Sequence, residues 1–233
     1  MRSLLNKTIS EGQNIAMKTF TKVYSFVSLI MVPQVSPLYF FLALFAYVKG
    51  MTIAELAVSI LFAAVVEIAY SAAYIRKAGA DIFVTQRRKR DSIFYVSIAS
   101  FLIGFLALRA LGAPYIISTL MLAYFVNAIA AFLINTFFDK VSIHVWNISG
   151  PSIAILYVLG AVPFAVTLIA AAFVGYSRIM LKHHTIRQVA LAFLVSLPLT
   201  YLIVFYLPIL SHALFGIWRF LEKVLFLVSD TTL

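Results

Sequence analysis

The strongest candidates for chemistry lie in one polar stretch of twelve residues, 177–188, inside an otherwise apolar sequence. This stretch holds two adjacent histidines and three cations: Arg178, Lys182, His183, His184 and Arg187. Uncharged runs lie on both sides of it, at Val145–Ser177 and Gln188–Ser211. Charge beside hydrocarbon is costly, and in membrane proteins it marks functional sites. We therefore take this stretch as the centre of a candidate site.

Two further polar loops could contribute to the same site. The first is Arg76–Asp91, the densest run of charge in the chain, and the second is Asp139–Asn147, which contains Lys140, Ser142 and His144. Guanidinium groups bind phosphate oxygens bidentately, and lysine binds them as a point charge. Two histidines from separate loops can divide a phosphoryl transfer, one attacking phosphorus and the other protonating the departing oxygen. No cluster of magnesium-binding carboxylates accompanies them, so the sequence predicts no metal site.

Composition places these loops on a membrane protein. Of 233 residues, 64% are hydrophobic and only 11% are charged, whereas about a quarter are charged in a soluble domain. There are no cysteines, which excludes disulfides, thiolate catalysis and cysteine-ligated metals. The net charge of +10 indicates positively charged membrane-face loops and attraction to anionic headgroups. We expect membrane lipids, and no nucleic acid, as partners.

The hydrophobic pattern predicts an all-α, polytopic transmembrane helix bundle of about six or seven spans. Residues 1–22 read as an amphipathic surface helix, 23–211 as the transmembrane domain, and 212–233 as an interfacial C-terminal helix, with a further span there left open. The first span, Val23–Val48, carries Pro33 and Pro37, which should kink or break it. The second, Leu56–Ile75, carries Glu67 near its middle, where a carboxyl group usually faces protein or a water-filled cavity.

Turn residues divide the remaining apolar runs. The segment 111–114, Leu-Gly-Ala-Pro, splits residues 92–138 into two spans. Gly160 and Pro163 lie midway in Val145–Ser177 and predict a hairpin of two short or tilted helices. Such a hairpin returns the chain to its starting face, so His144 should lie on the same side as 178–184. The two asparagines Asn127 and Asn135 are expected to form interhelical hydrogen bonds.

These residues carry a resemblance to a known family. Ser177 and Arg178, followed by five residues and His184, match the third motif of the type 2 phosphatidic acid phosphatases, S-R-x-x-x-x-x-H-x-x-x-D, a family grouped with the vanadium haloperoxidases. The segment 141–144, Val-Ser-Ile-His, resembles the second motif, P-S-G-H, but lacks its proline and glycine. The first motif, K-x-x-x-x-x-x-R-P, is represented loosely by Arg90 or Arg87, without its lysine. The resemblance covers the motif region 87–188.

The resemblance implies a phosphatidic-acid-phosphatase-like core and a role for each matched residue. His184 would be the nucleophile that forms a phosphohistidine, and His144 the general acid for the leaving group. The phosphate would be bound by the remaining matched polar residues, namely Arg178, Arg90 or Arg87, Ser142 and Lys140. The family implies no cofactor. His183 falls one residue short of the motif position and is expected to face headgroups.

The largest departure from the family is Gln188, which stands where the third motif has aspartate. That aspartate would accept the Nδ1–H of the histidine, fix its tautomer and stabilise the imidazolium. A glutamine carbonyl can accept the same bond but supplies no negative charge. Either glutamine suffices, or another acid substitutes (Glu67, Asp139 or Asp81), or activity has been lost.

The sequence therefore predicts a metal-independent lipid phosphatase, with a polyprenyl diphosphate or a phosphatidate-type lipid as substrate. The alternative is a non-catalytic membrane protein that binds phospholipid headgroups or transports lipid. A prenyltransferase has little support, because it would rest on Asn135 and Asp139 alone and the paired aspartate-rich metal motifs are missing. Self-association is left open.

Charge distribution predicts which membrane face carries the site. The N-terminal segment and the three polar loops hold 14 of the 18 lysines and arginines, counted at 2–22, 76–91, 139–147 and 177–188. The positive-inside rule places this face in the cytoplasm of a multi-pass cell-membrane protein.

Overall fold

The computed structural model describes residues 20–78 and 90–207, and all regular structure in these ranges is helical. Five of the described helices are long and apolar enough to cross a membrane, which supports an integral membrane protein. Arg87, Asp81, the C-terminal helix at 212–233 and nearly all of the predicted surface helix at 1–22 lie outside the described residues. The count of six or seven spans stays a prediction.

The predicted first span is two short helices. Helix α1 covers Phe20–Ile30 and helix α2 covers Ser36–Tyr47, with Pro37 in the first turn of α2. Proline lacks the N–H that a helix interior requires, so the break expected from Pro33 and Pro37 is confirmed. A later helix supports the break, since the side-chain amide of Asn147 donates to the Pro33 carbonyl at 3.1 Å.

Helix α3 is the predicted second span. It runs through Ile53–Ile60, a π-helical turn at Leu61–Val65, and Val66–Ala78. A capping box begins it: the Thr52 hydroxyl accepts from the Glu55 amide at 3.2 Å, and the Glu55 carboxylate accepts from the Thr52 amide at 2.7 Å. Within the π turn, the Phe62 carbonyl accepts from the Ser100 hydroxyl on the next helix at 2.6 Å.

The next two helices form the predicted pair of spans. Helix α4 covers Asp91–Ala110, and helix α5 covers Tyr115–Leu133 with a π-helical extension at Ile134–Phe138. The turn between them contains Gly112 at φ +73°, a conformation that favours glycine, and Pro114 as the N-cap of α5. The predicted split at this turn is confirmed.

The hairpin expected around Gly160 is also confirmed. Helix α6 covers Ile143–Leu159, and helix α7 covers Ala161–Met180, joined at Gly160 with φ +87°. Helix α8 covers Ile186–Tyr201 and continues as a π-helical turn at Leu202–Tyr206. Helix α6 packs against both α7 and α8, and most of its residues are buried, so it forms the centre of the bundle.

Polar side chains join three of these helices. The Trp146 indole N–H donates to the Asn127 side-chain oxygen at 2.9 Å, and the Asn127 amide donates to the Thr200 hydroxyl at 2.9 Å. The bonds link α5, α6 and α8, as predicted for Asn127. Ser149 on α6 also bonds Ser196 on α8 at 2.6 Å. Small polar residues at such crossings let membrane helices approach closely.

The closest approach near the site occurs at Gly175 on α7. A Cβ atom there would lie 2.7 Å from a Val189 methyl on α8 and 3.2 Å from a Val145 methyl on α6. We expect Gly175→Ala to lower stability by about 1–3 kcal/mol through overpacking, measured as a lower melting temperature in detergent. The double variant Gly175→Ala/Val189→Ala should recover part of that loss. A Gly175→Ala melting temperature equal to wild type would contradict the close packing.

Candidate functional site

The end of α7 places Arg178 and His184 on one side of a tight turn. The amide of His183 donates to the Arg178 carbonyl at 3.0 Å, and the amide of Lys182 donates to the Ile179 carbonyl at 2.9 Å. These two bonds form a Schellman motif, with Lys182 at φ 57° in the position that glycine usually occupies. The His184 amide also donates to the Arg178 carbonyl, at 3.2 Å. The turn therefore holds the backbone of His184 beside that of Arg178.

Gln188 holds His184 at the start of α8. A capping box begins this helix, in which Thr185 accepts from the Gln188 amide at 3.3 Å and the Gln188 side-chain oxygen accepts from the Thr185 amide at 3.2 Å. The same oxygen lies 3.1 Å from Nδ1 of His184. Gln188 thus makes the contact that the resemblance assigns to aspartate, through a neutral carbonyl.

Asp139 fixes the orientation of the Gln188 amide. The Nε2 atom of Gln188 donates to Oδ1 of Asp139 at 3.1 Å. A carboxylate only accepts hydrogen bonds, so the amide nitrogen must face Asp139 and the amide oxygen must face His184. Nδ1 of His184 then carries the proton, and Nε2 keeps its lone pair. Asp139 is one of the three acids that we expected to be able to substitute for the missing aspartate. The structure connects it to His184 through Gln188.

Asp139 also pairs with an exposed arginine. Both Nε and one terminal nitrogen of Arg187 donate to Oδ2 of Asp139, at 3.1 and 2.5 Å. Partial desolvation works to raise the pKa of this carboxyl, but the hydrogen bonds from Arg187, Gln188 and the Lys140 amide outweigh it and lower the pKa. Asp139 therefore stays negatively charged, and it lies at the end of a series of hydrogen bonds that runs from Asp139 through Gln188 to His184.

The start of α6 lies against the start of α8. Ser142 is the N-cap of α6, and its amide donates to the Gln188 carbonyl at 3.4 Å. His144 follows in the first turn of α6 and is 5% exposed. The Ser142 hydroxyl is fully buried and has no hydrogen-bond partner among the residues that the structure describes. Two helix N-termini meet here, and the positive ends of their dipoles favour an anion.

Three cations converge on the histidines. Arg178 is fully buried, and it acts electrostatically on His144 and on His184. Arg90 is 7% exposed, acts on the same two histidines, and donates to the Val141 carbonyl at 3.2 Å. Lys140 donates from Nζ to the His183 carbonyl at 2.9 Å. The predicted site residues are thus brought together, except Arg87, which lies outside the described part.

The surroundings of His184 lower its pKa. Burial is the largest cause, and the charges of Arg90, Lys140 and Arg178 add to it, while the hydrogen bond with Gln188 opposes it. The imidazole therefore remains neutral at mildly acidic pH, where an ordinary histidine would be protonated. A neutral Nε2 is the form that can act as a nucleophile.

This shift can be tested through the dependence on pH. If His184 is the nucleophile, Lys140→Met removes one of the charges that lower its pKa to about 2, but burial is the larger cause and keeps the pKa of the variant below 5. The imidazole then stays neutral in both proteins, so the kcat/KM ratio of variant to wild type should remain constant as pH decreases from 7 to 5. Comparing two proteins on one lipid cancels the titration of the lipid itself. The exposed Lys182 offers a control, because Lys182→Met should also leave the ratio flat. A ratio for Lys140→Met that falls with a midpoint near 6.5, the ordinary pKa of histidine, would contradict the lowered pKa of His184.

A cavity adjoins His144 on the side of α3 to α5. Arg90 and His144 line one part of it, and Glu67 and Tyr124 line the rest with mainly apolar neighbours. Glu67 is buried and its Oε2 atom accepts from Ser97 at 2.7 Å, so the mid-span carboxyl faces protein as predicted. Sequence reasoning missed Tyr124, because a tyrosine within an apolar span gives no signal that separates it from core packing.

Comparisons with known proteins give no further assignment. No family model, no curated protein and no solved structure matches this chain.

Proposed function

We propose that the protein is a metal-independent lipid phosphatase, which removes phosphate from a lipid phosphate or diphosphate through a phosphohistidine. One observation carries the proposal: Nδ1 of His184 is held by Gln188, while its buried Nε2 atom has no hydrogen-bond partner within residues 20–78 and 90–207. A buried nitrogen with a fixed tautomer and three nearby cations is arranged to meet an electrophilic phosphorus.

In the proposed reaction, Arg178 and Arg90 bind the phosphate oxygens, with Lys140 and Ser142 assisting. Nε2 of His184 attacks phosphorus, the bond from phosphorus to the lipid oxygen breaks, and His144 gives its proton to that oxygen. The negative phosphate favours the protonated imidazole of His144 in this first step. A water molecule then attacks the phosphohistidine, His144 takes its proton, and inorganic phosphate leaves with His184 restored.

Asp139 acts in this proposal as a positioning residue. It does not touch the substrate; it orients Gln188, which holds His184. The negative charge of Asp139 also lies two hydrogen bonds from the imidazolium-like phosphohistidine. The hydrogen-bonded series Asp139, Gln188 and His184 would take the place of the direct aspartate–histidine contact in the family that the motifs resemble.

Asp139→Asn tests this role. The variant's amide can offer either its oxygen or its nitrogen, so Gln188 can turn over and present its own nitrogen to His184. We expect about a tenfold fall in kcat with KM little changed, since a supporting residue is lost and the phosphate ligands remain. Arg187→Gln serves as the control, because it removes the exposed ion pair and keeps the carboxylate. Equal kcat for Asp139→Asn and wild type would contradict the role.

The direct test of the function is phosphate release by detergent-purified protein. A polyprenyl diphosphate and a phosphatidate should be offered separately, each with and without EDTA. Release that resists EDTA is the expected result. No release from these two lipids or from a monoacylglycerol phosphate would overturn the proposal.

The neutral Gln188 contact favours one alternative, a non-catalytic protein that binds phospholipid headgroups or transports lipid. That protein would bind lipid phosphate through Arg178 and Arg90 without cleaving it. Headgroup binding that survives His184→Ala, with no phosphate released by wild type, would favour this alternative. The charge distribution, with 14 of 18 cations on the face of the site, supports a cytoplasmic site for either function.

A further inference from the structure

The cavity beside His144 extends from Arg90 and His144 to apolar residues of the bundle. Arg90 and His144 line it at the polar end, and Phe101 and Tyr124 line it within the spans. In the proposed reaction His144 protonates the oxygen that leaves phosphorus. The group attached to that oxygen, the lipid alcohol, must therefore lie on the side of His144, and this cavity is on that side.

The Glu67 carboxyl gives the cavity a specific polar feature. Glu67 is 5% exposed and lines the cavity, and its Oε1 atom is buried with no hydrogen-bond partner among the described residues. Its Oε2 atom accepts from the Ser97 hydroxyl. The oxygen of that hydroxyl also lies 3.0 Å from the Ile93 carbonyl oxygen, and its one hydrogen serves both acceptors. A buried polar atom without a partner is costly, so Oε1 is suited to a donor brought by a ligand.

Tyr124 provides a second such atom in the same cavity. Its side chain is 4% exposed, and its hydroxyl is buried without a hydrogen-bond partner in the part of the chain that the structure describes. A phenol can both donate and accept. A ligand hydroxyl can likewise donate to Glu67 or accept from Tyr124, so a hydroxyl is a group that suits either residue.

The wall of the cavity next to α2 is irregular. Residues 32–34, Val-Pro-Gln, lie between α1 and α2 and line the cavity. Non-helical backbone within a membrane protein is tolerated where it is buried in protein or lines a cavity, and broken helices commonly border binding sites. This break is an independent sign of a binding site.

We propose that the cavity binds the leaving alcohol of the substrate and that Glu67 accepts a hydrogen bond from a free hydroxyl on it. This inference rests on the proposed phosphatase function. Ser97, which bonds Glu67, follows Arg90 by seven residues, or about 10 Å along α4. The hydroxyl therefore lies between the phosphate and the hydrocarbon chain. The preferred class is a lipid phosphate with such a hydroxyl, such as a monoacylglycerol phosphate, over polyprenyl or fully acylated lipids.

Binding of two phosphonate analogues tests the inference without requiring turnover. One is a monoacylglycerol phosphonate with its free hydroxyl, and the other is the matched deoxy compound, identical except for that hydroxyl. Wild-type protein should bind the hydroxyl compound about tenfold more tightly, as expected for one buried hydrogen bond. Equal affinities would overturn the inference.

Variants then assign the preference to residues. Glu67→Met removes both carboxyl oxygens at similar volume, so it should remove most of the preference while affinity for the deoxy compound is unchanged. Tyr124→Phe should reduce the preference by a smaller factor. Ser100→Ala is the control, because Ser100 is buried on the same helix as Ser97 without lining the cavity. A tenfold preference that persists in folded Glu67→Met would overturn the role of Glu67, and the wild-type comparison stands even if that variant does not fold.

Phosphate release from the corresponding lipid phosphates separates the two proposals. A preference for the hydroxyl compound in binding, without any phosphate release, would contradict the phosphatase proposal and leave a lipid-binding site that recognises the hydroxyl. Release from the hydroxyl and deoxy phosphates at equal kcat/KM, with equal binding, would leave the phosphatase and defeat the role of the cavity.

Discussion

Replacement of His184 by alanine is expected to abolish phosphate release, lowering kcat by about 10⁴-fold. The variant removes Nε2, the proposed nucleophile, and leaves the cations and His144 in place. Without a nucleophile there is no covalent step, so the residual rate reflects water attacking a phosphate that is still bound. Release should be followed with radiolabelled lipid, and an alkaline denaturing quench, which preserves the acid-labile P–N bond, should trap a phosphohistidine in wild type and none in the variant.

The adjacent His183 provides a matched control. His183 is partly exposed. Its main-chain carbonyl accepts from Lys140, and its main-chain amide forms one of the bonds of the turn after α7. His183→Ala keeps both of these atoms, so kcat should remain within about twofold of wild type. Loss of activity in His183→Ala with full activity in His184→Ala would reverse the assignment of the nucleophile.

The second large effect is expected at Arg178. Arg178→Lys keeps the charge but replaces the planar guanidinium, with its several donors, by a single ammonium group on a shorter side chain. We expect kcat to fall by about 10²-fold, because bidentate contacts to the phosphate oxygens strengthen as charge develops in the transition state. Steady-state kinetics on the preferred lipid would give kcat and KM separately.

The interpretation of Arg178→Lys needs a check on folding, because Arg178 is fully buried. Arg109→Lys makes the same chemical change at an exposed position, at the end of α4 away from Arg90, and should leave kinetics and melting temperature unchanged. If Arg178→Lys melts like wild type and also turns over like wild type, Arg178 does not bind the reacting phosphate.

Much of the helical framework could be predicted from the sequence, because proline, glycine and charge mark its boundaries. Pro33 and Pro37 break the first span, the turn at 111–114 divides the middle run, and Gly160 forms the hairpin. These signals act locally, through a missing N–H or a positive φ. The π-helical turns could not be predicted, since an extra residue in a turn of an apolar helix leaves the composition unchanged.

The site could be predicted in part. Motif spacing brought Arg178, His184 and His144 to one face, and the structure places them within electrostatic reach of each other. The sequence did not reveal how the side chain of Gln188 is oriented toward His184, because its partner Asp139 is 49 positions away. That bond depends on how the start of α8 packs against the start of α6. Lys182 is a further example, since a lysine gives no sign that its φ will be positive.

The contacts that hold this site together run largely through the main chain. The carbonyls of Arg178, Val141, His183 and Gln188 accept bonds that place the turn after α7, Arg90, Lys140 and Ser142. A carbonyl has the same chemistry on any residue, so these positions can change side chain while the bonds persist. Substitutions at these four positions would therefore change the sequence of the site without removing the bonds that set its three-dimensional arrangement.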